Sequence, residues 1–316
     1  MHIDICICTH NPRLDVLDCV IKSIFDQQGT EGHNLSLLVV DNASNPPLSE
    51  TIFRKNNISR IKARLIQEQS LGIVRARIAA ANATSAEWIL FVDDDNELKP
   101  AYVSNGAAII RDHSALGCFG GKLLLPDSIK TPPWARPFLP WLGIKDFGEE
   151  RIERLSDEWG PWEPPTAGAF VHRDVLNEYL RRSSVSEDFF RLGRNAKKLL
   201  SCEDSLLMRG AASVGRTNAY EPRLVLRHHL AAFRFRFSYL VRLMYGYGIS
   251  HVILEALCRG PQSIPKYYLS PSNFLKLVSG VFLAERDKSM RYAIGMLAYH
   301  LGARRQHFYQ QRAGNL

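Results

Sequence analysis

Three aspartates in a row, Asp93, Asp94 and Asp95, close the apolar run of EWILFVDDDNE (87–97). Carboxylates held together at the end of a core strand repel one another and have little bulk water to screen them. A cation relieves that cost. In an extended chain alternate side chains share a side, so Asp93 and Asp95 converge while Asp94 faces elsewhere. Their oxygens suit a hard divalent ion, Mn²⁺ or Mg²⁺, completed by phosphate oxygens and water, which ties the triplet to a phosphorylated ligand. The competing reading is a solvated acidic turn that caps the next helix.

Other residues have types that could join such a site. Glu203 and Asp204 open EDSLL (203–207). Their charge either complements a helix dipole or equips Asp204 as a general base that takes a proton from an attacking hydroxyl. His228 and His229 end LVLRHH (224–229), as metal ligands or as packed side chains. Asp41 and Asn42 follow the apolar run of LLVVDNAS, where an acid hydrogen-bonds a ribose or base or caps a helix. Arg75 and Arg77 lie on a helix-like segment after SLG and offer charge to phosphate. Two positions apart on a helix they point in different directions, so a solvated face is the alternative for at least one of them.

The elements that must position these residues alternate along the first 125 residues. HIDICIC (2–8), LSLLVV (35–40), ARLIQ (63–67), EWILFV (87–92) and LGCFGGKLLL (116–125) read as strands. LDVLDCVIKSIFDQQ (14–28), GIVRARIAAANAT (72–84) and PAYVSNGAAIIRDH (100–113) read as helices by their hydrophobic period. The alternation predicts an α/β fold, a mostly parallel sheet with helices on both faces. Ligands of such sheets gather at the carboxyl ends of strands where strand order reverses, and Thr9–Arg13, Asp41–Ser44 and Asp93–Asp95 all fall there. Residues 126–165, rich in Pro and Trp, predict an ordered loop region beside the site, a lid or acceptor platform; a surface connection packed by its own tryptophans is the alternative. A strand TAGAFVH (166–172), a helix, the segment SCEDSLLMRGAASVG (201–215) and the strand LVLRHH follow, and the chain reads as helical from Phe233 onward.

Composition sets outer bounds. With 46% hydrophobic and 23% charged residues over 316, the chain has the make-up of a folded globular protein. The N-terminus MHIDICICTHNPR lacks the layout of a secretory signal and no apolar run reaches the length of a membrane span, so residence in the cytosol is expected. Six cysteines without CxxC spacing support neither a disulfide framework nor a zinc site. The net charge of +8 favours anionic partners, but no recognition helix or RNA-binding motif is present, and nucleic acid is not an expected partner. The basic residues gather late, in stretches such as RHHLAAFRFRFSYLVR (227–242) and GARRQHFYQQR (302–312). FRFRFSYLVRLMYGYGISHVILEAL is either a basic amphipathic surface for an anionic bilayer or a helix packed on its own domain with snorkelling arginines.

The set CTHNPR, VVDNAS, SLGIVRARIAAANATSAEWILFVDDDN, PTAGAFVHRDVL, CEDSLLMRGAASVG and LVLRHH, in that order from about residue 3 to about residue 250, resembles the inverting family 2 glycosyltransferases. These are enzymes of GT-A fold that use nucleotide-diphosphate sugars. The resemblance implies that Thr9, Asn11, Arg13, Asp41, Asn42, Gly72, Arg77, Asp93 and Asp94 border the donor. It implies that Asp95, with Asp93 and His228, holds Mn²⁺ or Mg²⁺, and that Asp204 is the catalytic base beside Glu203. The family pattern N-x-G-x-x-x-A-R-N is met at Gly72, Ala76 and Arg77, but Ser70 and Ile78 replace the asparagines, a departure in the loop that bears on donor choice.

The implied function is transfer of a sugar, from UDP in the first instance, to a hydroxyl of a glycan or lipid-linked acceptor in polysaccharide or glycoconjugate synthesis. A peripheral contact with the inner face of the membrane goes with a lipid-linked acceptor. The expected division is a catalytic domain at 1–230, with a nucleotide-sugar half at 1–125 and an acceptor and catalytic half at 126–230, and a helical extension at 231–316. Readings from other classes are a metal-dependent phosphatase and a non-catalytic protein that retains nucleotide-sugar affinity. The phosphatases usually place their D-x-D after the first strand with Thr or Val following, whereas here Asn96 follows a triplet that ends the fourth.

Overall fold

The computed structural model describes residues 1–56, 61–194, 199–260, 263, 270–285 and 290–314. Two compact units are present. One comprises Met1–Asp127, Ile144–Val185 and Asp204–His229; the other comprises Ser128–Gly143, Ser186–Glu203 and Leu230–Leu316.

The first unit is built on one sheet of β1 (His2–Thr9), β2 (Asn34–Asn42), β3 (Lys62–Glu68), β4 (Trp88–Asp93), β5 (Asn96–Leu98), β6 (Leu116–Leu124), β7 (Ile152–Arg154), β8 (Ala169–His172) and β9 (Thr217–His228). Its order is β3-β2-β1-β4-β8-β6-β9-β5, with β7 added on β9. The flank β3-β2-β1-β4 is parallel throughout. Strands in such a flank are covered on both faces and read as continuous apolar runs; Ile3, Ile5, Cys6 and Ile7 of β1 and all of Trp88–Val92 in β4 are buried. Beyond β4 the sheet is mixed: β8 runs antiparallel to both β4 and β6, β6 and β9 are parallel, and β5 and β7 are antiparallel to β9.

Helices follow the strands as the alternation requires. α1 (Leu14–Phe25) turns Val16, Leu17, Val20, Ile21 and Ile24 inward, the three-and-four spacing of one helix face. α2 (Ile73–Ala83) and α3 (Tyr102–Asp112) come next. α4 (Arg173–Ser183) is capped by His172, whose Nδ1 accepts the Asp174 N–H at 3.1 Å. α5 (Glu203–Met208) and α6 (Gly210–Ser213) precede β9.

Three features depart from the sequence-based expectation. β5 and β7 have three residues each, too few to generate a period. β9 begins at Thr217 rather than at Leu224, since it already pairs with β6 at Leu116–Thr217, and its register then jumps from Gly120–Tyr220 to Lys122–Val225. The extra residues include Pro222, which a ladder tolerates only at such an irregularity, and they break the alternation that would have marked a longer strand. The Pro/Trp-rich region contributes β7 to the first sheet and a 3₁₀ segment, Pro133–Leu142, to the second unit.

The second unit carries α7 (Phe237–Arg259), α8 (Pro271–Glu285) and α9 (Met290–Gly314). Residues 261, 262, 264–269, 286–289, 315 and 316 of the expected helical stretch lie outside the described residues. Aromatic edges join the 3₁₀ segment to the helices, with Phe138 5.0 Å from Tyr292 and Trp141 5.2 Å from Tyr247 between ring centroids. Glycine sets how closely α7 and α9 approach: a Cβ on Gly248 would lie 1.9 Å from the Tyr299 carbonyl oxygen, and one on Gly302 2.1 Å from that of Tyr245. Both obstacles are backbone and cannot rotate away. Gly248→Ala is therefore expected to cost roughly 1–3 kcal/mol, the scale of overpacking, read as a lower urea midpoint by circular dichroism; an unchanged midpoint would show that the helix pair can separate without penalty.

Candidate active site

Parallel register brings the strand ends level. Thr9 pairs with Asp41 across β1 and β2, and Cys8 with Asp93 across β1 and β4. The turns after β1 and β2 and the aspartate triplet therefore leave from the same edge, the edge at which open α/β sheets bind ligands. β5 then runs back beside β9 with Asn96 opposite His228. That pairing places His228 Nε2 3.3 Å from Asp95 Oδ1, with both residues buried. The Asp95 carbonyl accepts the His229 N–H at 2.8 Å, and the Asn96 amide donates to Asp95 Oδ1 at 3.3 Å.

Asp93, half-buried, is held among like charges. Burial and then the Asp95 carboxylate push its pKa above the ordinary carboxylate value; Arg77 and His228 pull the other way, and Asp204 adds to the rise. Asp93, Asp95 and Asp204 thus share one electrostatic neighbourhood with Arg77 and His228. Asp94 turns to Thr9, whose hydroxyl donates to it. The neighbouring Cys8 thiol is pushed up to about 12, chiefly by burial, and supplies no thiolate at neutral pH.

The remaining residues singled out in the sequence shape the loops along this edge. The Asn11 N–H donates to Ser44 Oγ at 2.8 Å and its Oδ1 accepts the Asn45 N–H at 2.8 Å, which ties the first turn to the second. The Arg13 guanidinium donates to the His229 carbonyl. Both carboxylate oxygens of Asp41 accept backbone N–H groups, from Ser44 at 3.2 Å and Leu48 at 2.8 Å. Burial raises the Asp41 pKa, but hydrogen bonds from Ser44, Leu48 and Gln67 outweigh it and hold the group below the usual range. Asn42 donates to the carbonyls of Glu68 at 3.1 Å and Ser70 at 2.8 Å and accepts the Gly72 N–H at 2.8 Å. It therefore sets the loop that enters α2, where Gly72 has φ +140°. Arg77 is buried on α2 and donates to Thr166 Oγ1 at 2.5 Å.

Backbone strain marks two of these turns and the residue before Glu203. The non-glycine residues with positive φ among the described residues are Asn11 (48°), Ala43 (56°) and Cys202 (67°). They stand just beyond β1, just beyond β2 and just before Glu203, and strained backbone of this kind clusters at functional sites.

Asp204 lies half-buried in the first turn of α5, with Oδ1 accepting the Ser205 N–H at 2.8 Å. Glu203 precedes it and falls in the second unit. Sequence reasoning missed what anchors α5. Glu163, from the Pro/Trp-rich region, accepts the Ser205 hydroxyl at 2.5 Å and the Arg209 Nε–H at 3.1 Å, and both charged residues are 3% exposed. Burial raises the Glu163 pKa against the pull of Arg209 and Ser205, and Asp204 adds to the rise. The available signal was a lone acid inside GPWEPPT, apolar surroundings that oblige a charge to find a partner.

Among the described residues no three His, Cys, Asp or Glu side chains form a ligand cluster. Asp95 and His228 instead make a partial set, and His228 Nδ1 is buried without a hydrogen-bond partner among the described residues. A partial set suits Mg²⁺ or Mn²⁺, which bind through one or two carboxylates and draw further oxygens from substrate phosphates.

The glycosyl transferase family 2 model matches residues 4–180, more than half of the chain. The chain belongs to glycosyl transferase family 2. It is a glycosyltransferase of GT-A fold. The match covers Thr9 through Asp95 and stops before Asp204 and His228. Among solved structures, the mannosyltransferase PcManGT from Pyrobaculum calidifontis, in complex with GDP-Man and Mn²⁺, is 16% identical with a TM-score of 0.56, over 98% of this chain and 87% of that one. S. aureus TarS 1–349 in complex with UDP-GlcNAc is 14% identical with a TM-score of 0.49, over 99% of this chain and 92% of that one. No curated relative matches the chain.

The charge imbalance in this glycosyltransferase has a thermodynamic signature. Because the folded-state pKa of Asp93 is raised, its ionised form costs stability: the cost is absent below the ordinary value of 3.8 and complete once pH passes the raised one. Asp93→Asn is expected to melt higher than the native protein at pH 7 without added metal, by about 2–4 °C for each kcal/mol of repulsion removed. The difference should close as pH falls toward 4. Calorimetry over that range checks this, and a gap that widens on acidification would contradict the assignment of the repulsion to Asp93.

Proposed function

We propose that this glycosyltransferase works by inversion, with a divalent metal, moving a sugar from a nucleotide-diphosphate donor to a hydroxyl of a glycan or lipid-linked acceptor in polysaccharide or glycoconjugate synthesis. UDP-sugars are the first donors to test; the GDP-Man in PcManGT, a protein of the same fold, makes guanosine donors the next. The observation that carries the reading is that the Asp95 and Asp204 carboxylates both act on Asp93, beside Arg77 and a His228 that lies 3.3 Å from Asp95. Three carboxylates and one arginine leave a site that a cation and a phosphorylated ligand complete.

In this reading Thr9, Asn11, Arg13, Asp41, Asn42, Gly72 and Asp94 form the donor edge, and Arg77 sets positive charge near the phosphates. Asp41 and Asn42 serve it by holding the two loops in shape, since their side chains are engaged by loop backbone. Asp93 faces the ribose or sugar, and Asp95 with His228 would hold Mn²⁺ or Mg²⁺. When bound there, the ion supplies Lewis acidity to the departing diphosphate.

Asp204 accepts the proton of the acceptor hydroxyl on the oxygen not engaged by the Ser205 N–H. The hydroxyl oxygen forms its bond to the anomeric carbon from the face opposite the diphosphate, the bond to the diphosphate oxygen breaks, and configuration inverts. One carboxylate base suffices, because no covalent glycosyl intermediate forms. Glu163 and Arg209 keep α5, and with it Asp204, in place. Residues 1–230 act as the catalytic domain, 1–125 for the donor and 126–230 for the acceptor, and 231–316 as a helical extension.

Location in the cytosol with a peripheral membrane contact accords with α9. Met290, Ile294, Leu301 and Phe308 are exposed at intervals of four and seven, which places them on one side of the helix. α9 has no acidic residue, while Arg291, Arg304 and Arg305 lie along it. Positive charge beside exposed apolar side chains is the combination that attracts a surface to anionic lipid. Among the described residues no helix is long and apolar enough to cross a membrane.

Two variants test the chemistry. Asp204→Asn is expected to retain donor affinity and lose about 10²-fold or more in turnover; near-native turnover would remove Asp204 from the role. Asp95→Ala is expected to abolish the Mn²⁺ dependence of donor binding in titration calorimetry, and unchanged dependence would place the ion elsewhere.

A further inference from the structure

The second unit contains a cavity of about 910 Å³ that shares no residue with the donor edge and lies outside the family match. All of its lining comes from that unit. Buried Leu200, Ile253 and Ala298 line its interior, while Arg242 and Arg305, both exposed, mark its rim. Arg191 also lines it, and no lining residue is acidic.

The cations differ in how far they are already engaged. Arg191 pairs with Asp188 at 2.6 Å and lies over the Tyr309 ring at 5.3 Å. Arg305 donates to the Tyr245 hydroxyl at 3.1 Å. Neither Arg242 nor Arg305 has a carboxylate partner among the described residues. Gln306 lines the same cavity at 6% exposure, and its Nε2 has no hydrogen-bond partner among them. A buried amide donor left unpaired is costly, and an acceptor oxygen from a ligand would relieve it.

Apolar depth, a cationic rim without acids and a buried donor together specify an amphiphile with an anionic head. A nucleotide sugar fits poorly, since its hydroxyls would lie against Leu200 and Ile253 without partners. Guanidinium groups match phosphate oxygens in geometry as well as charge, and the volume lies within the usual range for ligand cavities. We propose that this cavity binds a single phosphate-headed lipid, its hydrocarbon chain among Leu200, Ile253 and Ala298, its phosphate at Arg242 and Arg305, and one of its oxygens on the Gln306 amide. The proposal goes beyond the donor-site reading and does not rest on it.

Titration calorimetry of the full chain with dioctanoyl phosphatidic acid, kept below its micelle concentration, tests this. Saturable binding of one lipid per chain is expected, weakened about tenfold or more in the double variant Arg242→Gln/Arg305→Gln and lost in Ile253→Trp, which fills the interior. Dioctanoylglycerol and inorganic phosphate are each expected to bind at least about tenfold more weakly than the phospholipid. Equal affinity of the double arginine variant, equal binding of either control ligand, or no saturation with the phospholipid would overturn the proposal. Should Ile253→Trp fail to fold, the arginine variant still decides, because both of its positions are exposed. Donor titration of that variant in parallel, expected unchanged, separates failure of this site from failure of the donor-site reading.

Discussion

Like charge concentrated where solvent is scarce is the constraint around which the first unit is arranged. Asp93 and Asp95 leave β4 at the edge where β1 and β2 also end, and Asp204 acts on the same spot from α5. Arg77 and His228 offset part of that charge, each from an element fixed by other contacts: Arg77 on a helix whose entry loop Asn42 holds, His228 on the strand that pairs with β5. The cost of assembling the carboxylates is borne by the parallel core behind them, where β1 and β4 are buried on both faces. Strained backbone at Asn11 and Ala43 is a second cost of the same kind, carried at the turns that leave this edge.

Aspartates in this arrangement divide into those that remain electrostatically exposed to a ligand and those already satisfied. Asp41 is saturated with backbone donors and held ionised; Asp93 is short of partners and resists ionisation. The contrast explains why one supports a loop while the other is suited to a cation. Glu163 and Arg209 represent a third case, a buried ion pair whose effect is to fix the helix that bears Asp204.

Much of the first unit was legible in the sequence because its strands are long, apolar and parallel. β1 to β4 and α1 to α3 fall within a few residues of their hydrophobic runs, and the DDD and EDSLL segments stood out by placing acids where apolar residues prevail. β5 and β7 were illegible because three residues carry no period, and β9 was truncated because Pro222 and the register jump interrupt its alternation. The partnership of Glu163 with Ser205 and Arg209 spans more than forty residues and leaves no local trace. For Asp41 and Asn42 the sequence suggested contact with a ligand, whereas the hydrogen bonds show first a role in holding the loops.

Sequence alone determined which segments become core strands and which side chains bring charge to their ends, because period and burial are local properties of the chain. Tertiary structure decided which of those charges meet. His228 reaches Asp95 only through the antiparallel pairing of β5 with β9, and α7 and α9 approach at glycines fifty-four positions apart. Such distances are set by strand register and helix crossing, which depend on contacts between segments remote in sequence and so are not written in any one of them.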